Sequence, residues 1–510
     1  MIVGSVAGGN GGSRIRLRRL GVDTYQEAVV YMHRDCHVCH SEGFEAQSRV
    51  EVALNGRTIV ATLNVVSGGF VSPDEAGLSE AAWRLLHAND GDVATLRHPP
   101  PLESLGHVRA KVYGRRLTPS AFAAIIRDVA AGRYSDLQLA AFVTACAGDH
   151  LDLEETVSLT RAMVDVGERM AWGPGMVLDK HSVGGLPGNR TTMLIVPVVA
   201  ACGLRMPKTS SRAITSPAGT ADTMETLAPV ALDVPQIKHV VERTGGCIVW
   251  GGAVRLSPAD DVLIRVERPL DLDSQGQLVA SVLSKKAAAG ATHVVIDMPV
   301  GPTAKVRSAQ AAHELGRQLE QVGAALGLQV RVVTTDGLAP VGRGIGPALE
   351  ARDVLAVLQR HPGAPADLAL RSAYLAGPLL ELGGAAPAGG GERLAMEVLG
   401  DGRAWAKFQE ICEAQGGMRQ PPVAPHRRAM PAPRSGCVVA IDNRRLARIA
   451  KLAGAPQSPS AGVDLHVQTG EFVERGQPLF TLHADSPGEL AYAVEYAISQ
   501  ADTVHVTEDA

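Results

Sequence analysis

The sequence of 510 residues is poor in three features that would each point to a particular class of protein. Aromatic residues make up only 4% of it, too few for the base-stacking surfaces that hold single-stranded nucleic acid. The charges nearly balance, with 49 lysines and arginines against 53 aspartates and glutamates, so no strong field attracts nucleic acid or a membrane surface. No apolar run approaches the ~20 residues of a membrane-spanning helix.

Cysteine is also scarce, with seven residues in the chain. An odd, sparse set does not predict a disulfide framework, and the N-terminus lacks the pattern of a secretory signal, so we expect a cytoplasmic protein. Cys36 and Cys39 form a Cys-x-x-Cys-His pattern with His40. Three interpretations stay open: c-type haem attachment, which requires export, a structural zinc site, and a reduced Cys/His-rich loop, which we favour.

The order of secondary-structure signals predicts an α/β protein with four parts. Residues 1–95 are strand-rich, and Asn55-Gly56 is typical of a hairpin turn between two of the strands. Residues 96–175 carry the signals of a helical domain. Residues 176–430 alternate strands and helices and predict a large mixed α/β domain. Residues 431–510 indicate a small C-terminal α+β unit.

Two local patterns are specific enough to test. Asp152 with Glu155 three residues later is a capping box and predicts the start of a helix. A strand over 293–298, an amphipathic helix over 308–326 and a strand over 329–334 form a strand–helix–strand unit. Because so long a connection joins parallel strands, the second pattern predicts a partly parallel sheet.

Two segments rich in glycine, serine and threonine carry the clearest chemical signal. They run from Asp179 to Thr192 and from Lys208 to Thr220, each directly before a predicted helix. Each supplies hydroxyls, backbone N–H groups and a cation, Lys180 or Arg212, where a helix N-terminus favours an oxyanion. Either segment alone could be a helix cap, but caps do not require cations. Together they predict an anion site, although the Gly-x-x-x-x-Gly-Lys-Ser/Thr loop of many kinases is absent.

These motifs resemble the thymidine phosphorylase family, which includes the pyrimidine-nucleoside phosphorylases and the longer AMP phosphorylases. The resemblance covers about residues 105–490 and rests on Asp179-Lys-His-Ser-x-Gly-Gly, on the segment 210–220 and on Ser281-x-x-x-Lys285-Lys286. It implies that phosphate cleaves a nucleoside, most simply thymidine, to a free base and a sugar 1-phosphate. It also implies a homodimer, a cleft that closes between the helical and α/β domains, and no cofactor or metal besides the co-substrate phosphate.

The resemblance assigns roles to the matched residues. Phosphate would be held by one ammonium and four hydroxyls: Lys180, Ser182, Thr192, Ser210 and Thr220. The base would face four polar side chains: His181, Arg268, Ser281 and Lys285. In the longer branch, further substrate contacts would come from Gly185, Ser211, Arg212, Ala213, Ile214, Thr215, Ser216 and Lys305. Asp273 would be the proton donor, with Lys180 and His181 completing the catalytic set.

Elementary chemistry agrees with these roles and leaves the substrate open. Cleavage of the glycosidic bond passes through an oxocarbenium-like sugar, which an anionic phosphate stabilises, and Lys180 would balance the phosphate charge. Lys305 stands where the short enzymes have an aromatic residue, and a cation there would suit a substrate with an extra phosphate. The alternatives are therefore an AMP phosphorylase that forms ribose 1,5-bisphosphate and a non-catalytic phosphate- or nucleotide-binding protein. Because we interpret Lys180 as a surface cation, we expect Lys180→Ala to abolish phosphorolysis and leave the fold intact.

Overall fold

The computed structural model describes residues 13–213, 216–270, 272 and 274–508, without the side chain of Arg268. The chain divides into two compact units between Ala145 and Cys146. Within the described residues, no helix combines the length and the apolar composition that crossing a membrane requires. The predicted α/β class, with strand-rich, helical, mixed α/β and small α+β parts, is confirmed.

The first unit begins with a closed barrel of six strands in the order β1-β5-β2-β4-β3-β6. The strands are β1 Ser13–Arg19, β2 Val29–His33, β3 Arg49–Leu54, β4 Arg57–Val66, β5 Glu75–Leu78 and β6 Val93–Arg97. Asn55 and Gly56 both have positive φ, at 49° and 79°, as a two-residue hairpin between β3 and β4 requires. The predicted hairpin is therefore confirmed.

Five helices belong to the same unit. They are α1 His37–Glu42, α2 Glu80–Leu86, α3 Leu105–Val112, α4 Pro119–Ala130 and α5 Asp136–Ala145. The Thr118 side chain caps α4 by accepting a hydrogen bond from the backbone N–H of Ala121. Along α4, Phe122, Ile125 and Ile126 are buried at helical spacing, which fixes the face that this helix turns towards the core.

The second unit contains the parallel strands. These are β7 Leu178–Ser182, β8 Met206–Ser210, β9 Gly246–Trp250, β10 His293–Val300 and β11 Gln329–Asp336. They form a three-stranded sheet, β11-β10-β7, and a two-stranded sheet, β8-β9, with parallel pairing throughout. The backbone N–H of Leu178 donates to the Arg205 carbonyl, 2.9 Å away, and links the edges of the two sheets.

The helices that pack around these strands confirm both local predictions. They are α6 Leu153–Asp165, α7 Thr192–Ala201, α8 Thr220–Glu225, α9 Val234–Thr244, α10 Pro258–Leu270, α11 Gln275–Ala288, α12 Ala309–Ala325, α13 Pro347–Leu358, α14 Ala366–Leu382, α15 Gly391–Gly400 and α16 Arg403–Ala414. Asp152 and Glu155 form the expected capping box at α6. Strand β10, helix α12 and strand β11 form the expected parallel unit. Helix α7 takes up the longest apolar run and is buried all round.

The chain ends in two antiparallel sheets, ordered β12-β15-β17-β13 and β16-β14-β18. Their strands are β12 Gly344–Ile345, β13 His426–Pro431, β14 Gly436–Ile441, β15 Gly462–Leu465, β16 Phe472–Val473, β17 Pro478–Ala484 and β18 Val504–Thr507. Helices α17 Asn443–Leu452 and α18 Pro487–Ser499 cover them. Strand β12 precedes α13 in the sequence, so the last sheet is joined to the α/β part by hydrogen bonds between β12 and β15.

Candidate active site

The carboxyl ends of the parallel strands carry the polar residues singled out in the sequence. Strand β7 ends at Ser182 and β8 at Ser210, and each is followed by one of the two loops rich in glycine and hydroxyl groups. In open α/β sheets, ligands bind in the crevice beyond this edge. The strands therefore place both predicted loops where a small anion is expected to bind.

Close backbone packing explains Gly185. Its φ is 95°, and a Cβ atom there would lie 2.3 Å from the backbone nitrogen of Lys305. Only glycine fits such an approach without moving the backbone. The loop after β7 is thereby pressed against the loop after β10, and the exposed Lys305 lies beside the predicted site.

Lys180 is a buried cation, and the expectation that it lies on the surface is wrong. Its side chain is 1% exposed, its Nζ donates to Thr191 Oγ1 at 2.9 Å, and it lies 3.6 Å from Asp297 Oδ2. Burial lowers the pKa of Lys180 to about 8, against the opposing attraction of Asp297. Lys180 sits within β7, where Leu178, Asp179 and Lys180 are all buried, so both faces of the strand are covered at this point.

Asp297, which sequence reasoning missed, organises this end of β7 and β10. Its fully buried carboxylate accepts hydrogen bonds from Ser182 Oγ at 2.8 Å, Asn189 Nδ2 at 3.1 Å and Thr335 Oγ1 at 2.6 Å. Burial opposes its ionised form, yet the Lys180 ammonium and these donors hold the pKa of Asp297 below its usual value. The signal in the sequence that could have identified Asp297 is its position as the one acidic residue in the mostly apolar strand His-Val-Val-Ile-Asp-Met.

The remaining predicted phosphate ligands lie at the starts of helices or at a strand end. Thr192 is the first residue of α7 and is buried, whereas Thr220 is the first residue of α8 and is half-buried. The Oγ atom of Ser210 is buried and has no hydrogen-bond partner within the described part of the chain. Because a buried hydroxyl without a partner is costly, Ser210 has an unused capacity to bind a ligand.

Arg212 holds its own loop together. Its guanidinium pairs with Asp222 at 3.1 Å and with Glu225 at 2.9 Å, and it lies 4.8 Å from the centroid of the Trp250 ring. The Asp222 carboxylate also accepts from the backbone N–H of Ala213 at 2.7 Å. Arg212 is thus engaged with protein groups in this structure. Among its predicted neighbours, Ser211 is exposed and Ser216 donates to the Ala218 carbonyl, while Ile214 and Thr215 lie outside the described residues.

The predicted base-facing residues fall into two groups. Ser281 and Lys285 lie one turn apart on α11, where Lys285 Nζ donates to Ser281 Oγ at 3.2 Å and to Asp260 Oδ2 at 2.7 Å. Burial, followed by the charges of Lys286 and Lys208, lowers the pKa of His181 well below its usual value. His181 is therefore a neutral imidazole near pH 7. The predicted proton donor Asp273 and the Arg268 side chain lie outside the described residues.

A second cluster of buried charged side chains is formed by Asp179, Lys208 and Lys286. Asp179 pairs with Lys286 at 2.7 Å and with Lys208 at 3.1 Å, and the three side chains are almost fully buried. Lys286 belongs to a motif that carries the resemblance, and Lys208 begins the second segment rich in glycine, serine and threonine. Their charges meet Asp179, so they join β7, β8 and α11 in this structure.

The Cys-x-x-Cys-His pattern lies in the first unit and has a structural explanation. Cys36 precedes α1 and Cys39 lies within it, with both side chains buried in the core of the barrel as free thiols. Across the described ranges, no three His, Cys, Asp or Glu side chains are placed to hold a metal ion. The zinc interpretation therefore lacks a third protein ligand there.

Comparison with known proteins agrees with this architecture. The helical bundle domain of a glycosyl transferase family matches residues 107–167, and the a/b domain of that family matches residues 174–405. The C-terminal domain of pyrimidine nucleoside phosphorylases matches residues 437–502. Fold and site thus define a glycosyl transferase that acts on a pentose, a pentosyltransferase.

Similar proteins match over nearly their whole lengths. A protein of Polaromonas sp. (strain JS666 / ATCC BAA-500), named "Putative thymidine phosphorylase", is 79% identical over 98% of this chain and 97% of its own. "Putative thymidine phosphorylase 2" of Acidovorax sp. (strain JS42) is 67% identical, and a protein of Hahella chejuensis (strain KCTC 2396) is 59% identical, with similar coverage. The chain belongs to the thymidine and pyrimidine-nucleoside phosphorylase family, which confirms the resemblance.

Proposed function

We propose that this chain is a thymidine phosphorylase, which converts thymidine and phosphate to thymine and 2-deoxyribose 1-phosphate. The observation that carries the proposal is the buried Lys180 ammonium in β7, together with the buried Ser210 hydroxyl at the end of β8, which has no hydrogen-bond partner among the described residues. A tetrahedral oxyanion is bound by a fixed cation and by hydroxyl donors close to helix N-termini. The membership of the phosphorylase family supplies the reaction class.

The phosphate side of the reaction follows from this donor set. Lys180, Thr192, Ser210 and Thr220 would hold the phosphate in place, so that it faces C1′ of the sugar. Ser182 would join them by turning its hydroxyl hydrogen from the Asp297 carboxylate to the phosphate. As the glycosidic bond lengthens, positive charge develops on the sugar and the phosphate stabilises it. The phosphate oxygen then bonds to C1′, and the electron pair of the broken bond leaves with the base.

The base leaves with a negative charge that needs donors or a proton. Lys285, held one turn from Ser281 by a hydrogen bond, would donate to the base, and neutral His181 could donate one further hydrogen bond. Asp273 would supply the proton, and Arg268 would complete this side of the site. Gly185 and the segment 211–216 would contact the sugar and base.

The direct test is phosphate-dependent release of free base from a panel of nucleosides. We expect thymidine to give thymine and 2-deoxyribose 1-phosphate in equal amounts, and no release when phosphate is omitted. If phosphate binds by calorimetry while no nucleoside or nucleotide is cleaved, the chain is a non-catalytic phosphate- or nucleotide-binding protein.

A nucleoside 5′-monophosphate is the second candidate substrate, and the position of Lys305 favours it. Lys305 is exposed, and its backbone packs directly on Gly185 at the rim of the site. A 5′-phosphate adds about −2 charge near neutral pH and requires a nearby cation. The product from AMP would be adenine and ribose 1,5-bisphosphate.

The measurement that separates the two substrates is kcat/KM for thymidine against AMP, CMP and UMP, in the wild type and in Lys305→Phe. If Lys305 binds a 5′-phosphate, the variant loses the monophosphates selectively and keeps thymidine. Equal losses on both substrate types would contradict that role for Lys305.

We further propose a cytoplasmic homodimer that uses no cofactor or metal besides phosphate. Three exposed apolar side chains on or next to helices of the first unit support self-association, namely Val112, Tyr113 and Leu137. Light scattering after gel filtration should give the dimer mass for the wild type and the monomer mass for Leu137→Lys. Full activity in EDTA is expected, and loss of activity in EDTA would contradict the absence of a metal.

A further inference from the structure

Arg190 connects the two loops that form the predicted phosphate site. It belongs to the loop after β7, and its guanidinium donates to Thr220 Oγ1 at 3.2 Å and to the Ala218 carbonyl of the other loop. Its third contact is an ion pair with the Glu350 carboxylate on α13, in which the side chains are 11% and 0% exposed. A single buried side chain therefore joins three separate elements of the second unit.

The direction of the hydrogen bond to Thr220 has a chemical consequence. A guanidinium can only donate, so Thr220 Oγ1 must accept from Arg190. The hydroxyl hydrogen of Thr220 is then left to be donated elsewhere. Ser182 shows the opposite arrangement, because its hydroxyl hydrogen is donated to the Asp297 carboxylate. Thr220 is thus prepared as a donor to an anion before the anion arrives.

Glu350 holds the Arg190 guanidinium in the position from which it donates to Thr220. Its Oε2 atom accepts from Thr223 Oγ1 at 3.0 Å, and its Oε1 atom accepts from the backbone N–H of Gly346 at 3.3 Å. Thr223 lies on α8, one turn after Thr220. Because helix α8 and Arg190 share one buried carboxylate, the position of Thr220 relative to the loop after β7 is fixed at two points.

We propose that Arg190 is a positioning residue for phosphate, which orients the Thr220 hydroxyl so that its hydrogen is donated to the bound anion. The proposal rests on the proposed function, since it assigns phosphate to this site. Arg190 acts through Thr220, and Glu350 holds Arg190 in place. The recognised ligand is a tetrahedral oxyanion with acceptor oxygens only, or with one protonated oxygen.

The test is a double-mutant cycle with Arg190→Met, Thr220→Val and the double variant, with phosphate and nucleoside concentrations varied separately. A hydrogen bond to a charged group corresponds to a factor of about 10 to 100, so each single variant should lower kcat/KM for phosphate by about that much. The nucleoside KM should change less than about twofold, because Arg190 contacts no residue assigned to the base. The double variant should be about as impaired as the worse single variant.

A control separates this role from the general loss of an arginine ion pair, at a pair that is more exposed. Arg133 pairs with Asp128 at 2.6 Å and also donates to the Pro100 carbonyl at 3.2 Å, but it lies in the first unit. Arg133→Met should therefore leave the phosphate kinetics unchanged. If Arg190→Met does not fold by circular dichroism, Arg190→Lys with Thr220→Val forms the same cycle, because lysine retains the charge without the planar fork.

The outcomes are distinct. Independent effects of Arg190 and Thr220, which multiply in the double variant, would overturn the proposal, as would equal damage to the phosphate and nucleoside constants. If the wild type cleaves no nucleoside, the proposed function fails, and phosphate binding by calorimetry then decides the role of Arg190. A Kd for inorganic phosphate that rises about 10- to 100-fold in Arg190→Met, but not in Arg133→Met, would support the proposal. An unchanged Kd would overturn it.

Discussion

Removal of the Lys180 charge should destabilise the protein as well as abolish its activity. In Lys180→Met the Asp297 carboxylate loses its counter-charge while it remains fully buried. Breaking a buried ion pair from one side typically costs about 3–5 kcal/mol. Asp297 keeps its three hydrogen-bond donors, so we expect the lower end of that range, about 3 kcal/mol.

A second substitution isolates the cause of that loss. In the double variant Lys180→Met/Asp297→Asn no unpaired charge is buried, so at least half of the lost stability should return. Activity should not return, because the phosphate still lacks its cation, and loss of one such charge costs at least about 100-fold in rate. Stability and activity therefore separate in this pair of variants.

Urea unfolding followed by tryptophan fluorescence measures the first quantity, since Trp172, Trp250 and Trp405 all lie in the second unit. Lys407→Met is the matched control, because Lys407 pairs with Glu410 at the surface. Such a pair contributes about 0–1 kcal/mol. If Lys180→Met is as stable as Lys407→Met, or if Asp297→Asn restores nothing, the argument from the buried pair is refuted.

Three further outcomes are expected. Burial lowers the pKa of Lys180 to about 8, and in the proposed reaction only the protonated amine would bind phosphate, so kcat/KM for phosphate should fall as the pH rises above about 8; a flat profile would contradict this. Gly185→Ala should lower activity at least about 10-fold, because its Cβ would lie 2.3 Å from the Lys305 nitrogen. Gly470→Ala, at φ 92° with no atom within 4 Å, is its control and should retain activity. Lys285→Met should lower kcat for the nucleoside at least about 10-fold and leave the phosphate Kd measured by calorimetry unchanged. Weaker phosphate binding in this variant would contradict the assignment of Lys285 to the base.

Local signals in the sequence were sufficient for much of the fold. The capping box at Asp152 and the turn at Asn55-Gly56 depend on residues a few positions apart, and both are present. The motif around Lys180 located the strand edge where the loops meet. The buried environment of Lys180 could not be predicted in the same way, because its ion-pair partner Asp297 lies in a strand that is distant in the sequence. Asp297 and Ser182, which also bonds to it, are 115 residues apart.

The roles of Arg190 and Glu350 were hidden for the same reason, since 160 residues separate them in the sequence. Each appears as an ordinary charged residue beside a turn or in a helix. Only the packing of α13 against the loop after β7 makes them partners and buries both. The motifs and the family resemblance therefore supplied the proposed donors of the candidate site, whereas the carboxylates that contact those donors or Arg190 came only from the structure.

Each buried cation named at the proposed phosphate site already has a carboxylate partner: Lys180 has Asp297, and Arg190 has Glu350. These two pairs sum to zero charge, so a phosphate bound there would keep much of its own negative charge, and its ground-state affinity would be modest. When the sugar became cationic, the uncompensated charge of the phosphate would attract it, and this attraction would be stronger in the transition state than in the ground state. In the proposed reaction, the internal charge balance of the protein would therefore reserve binding energy for the cleavage of the glycosidic bond.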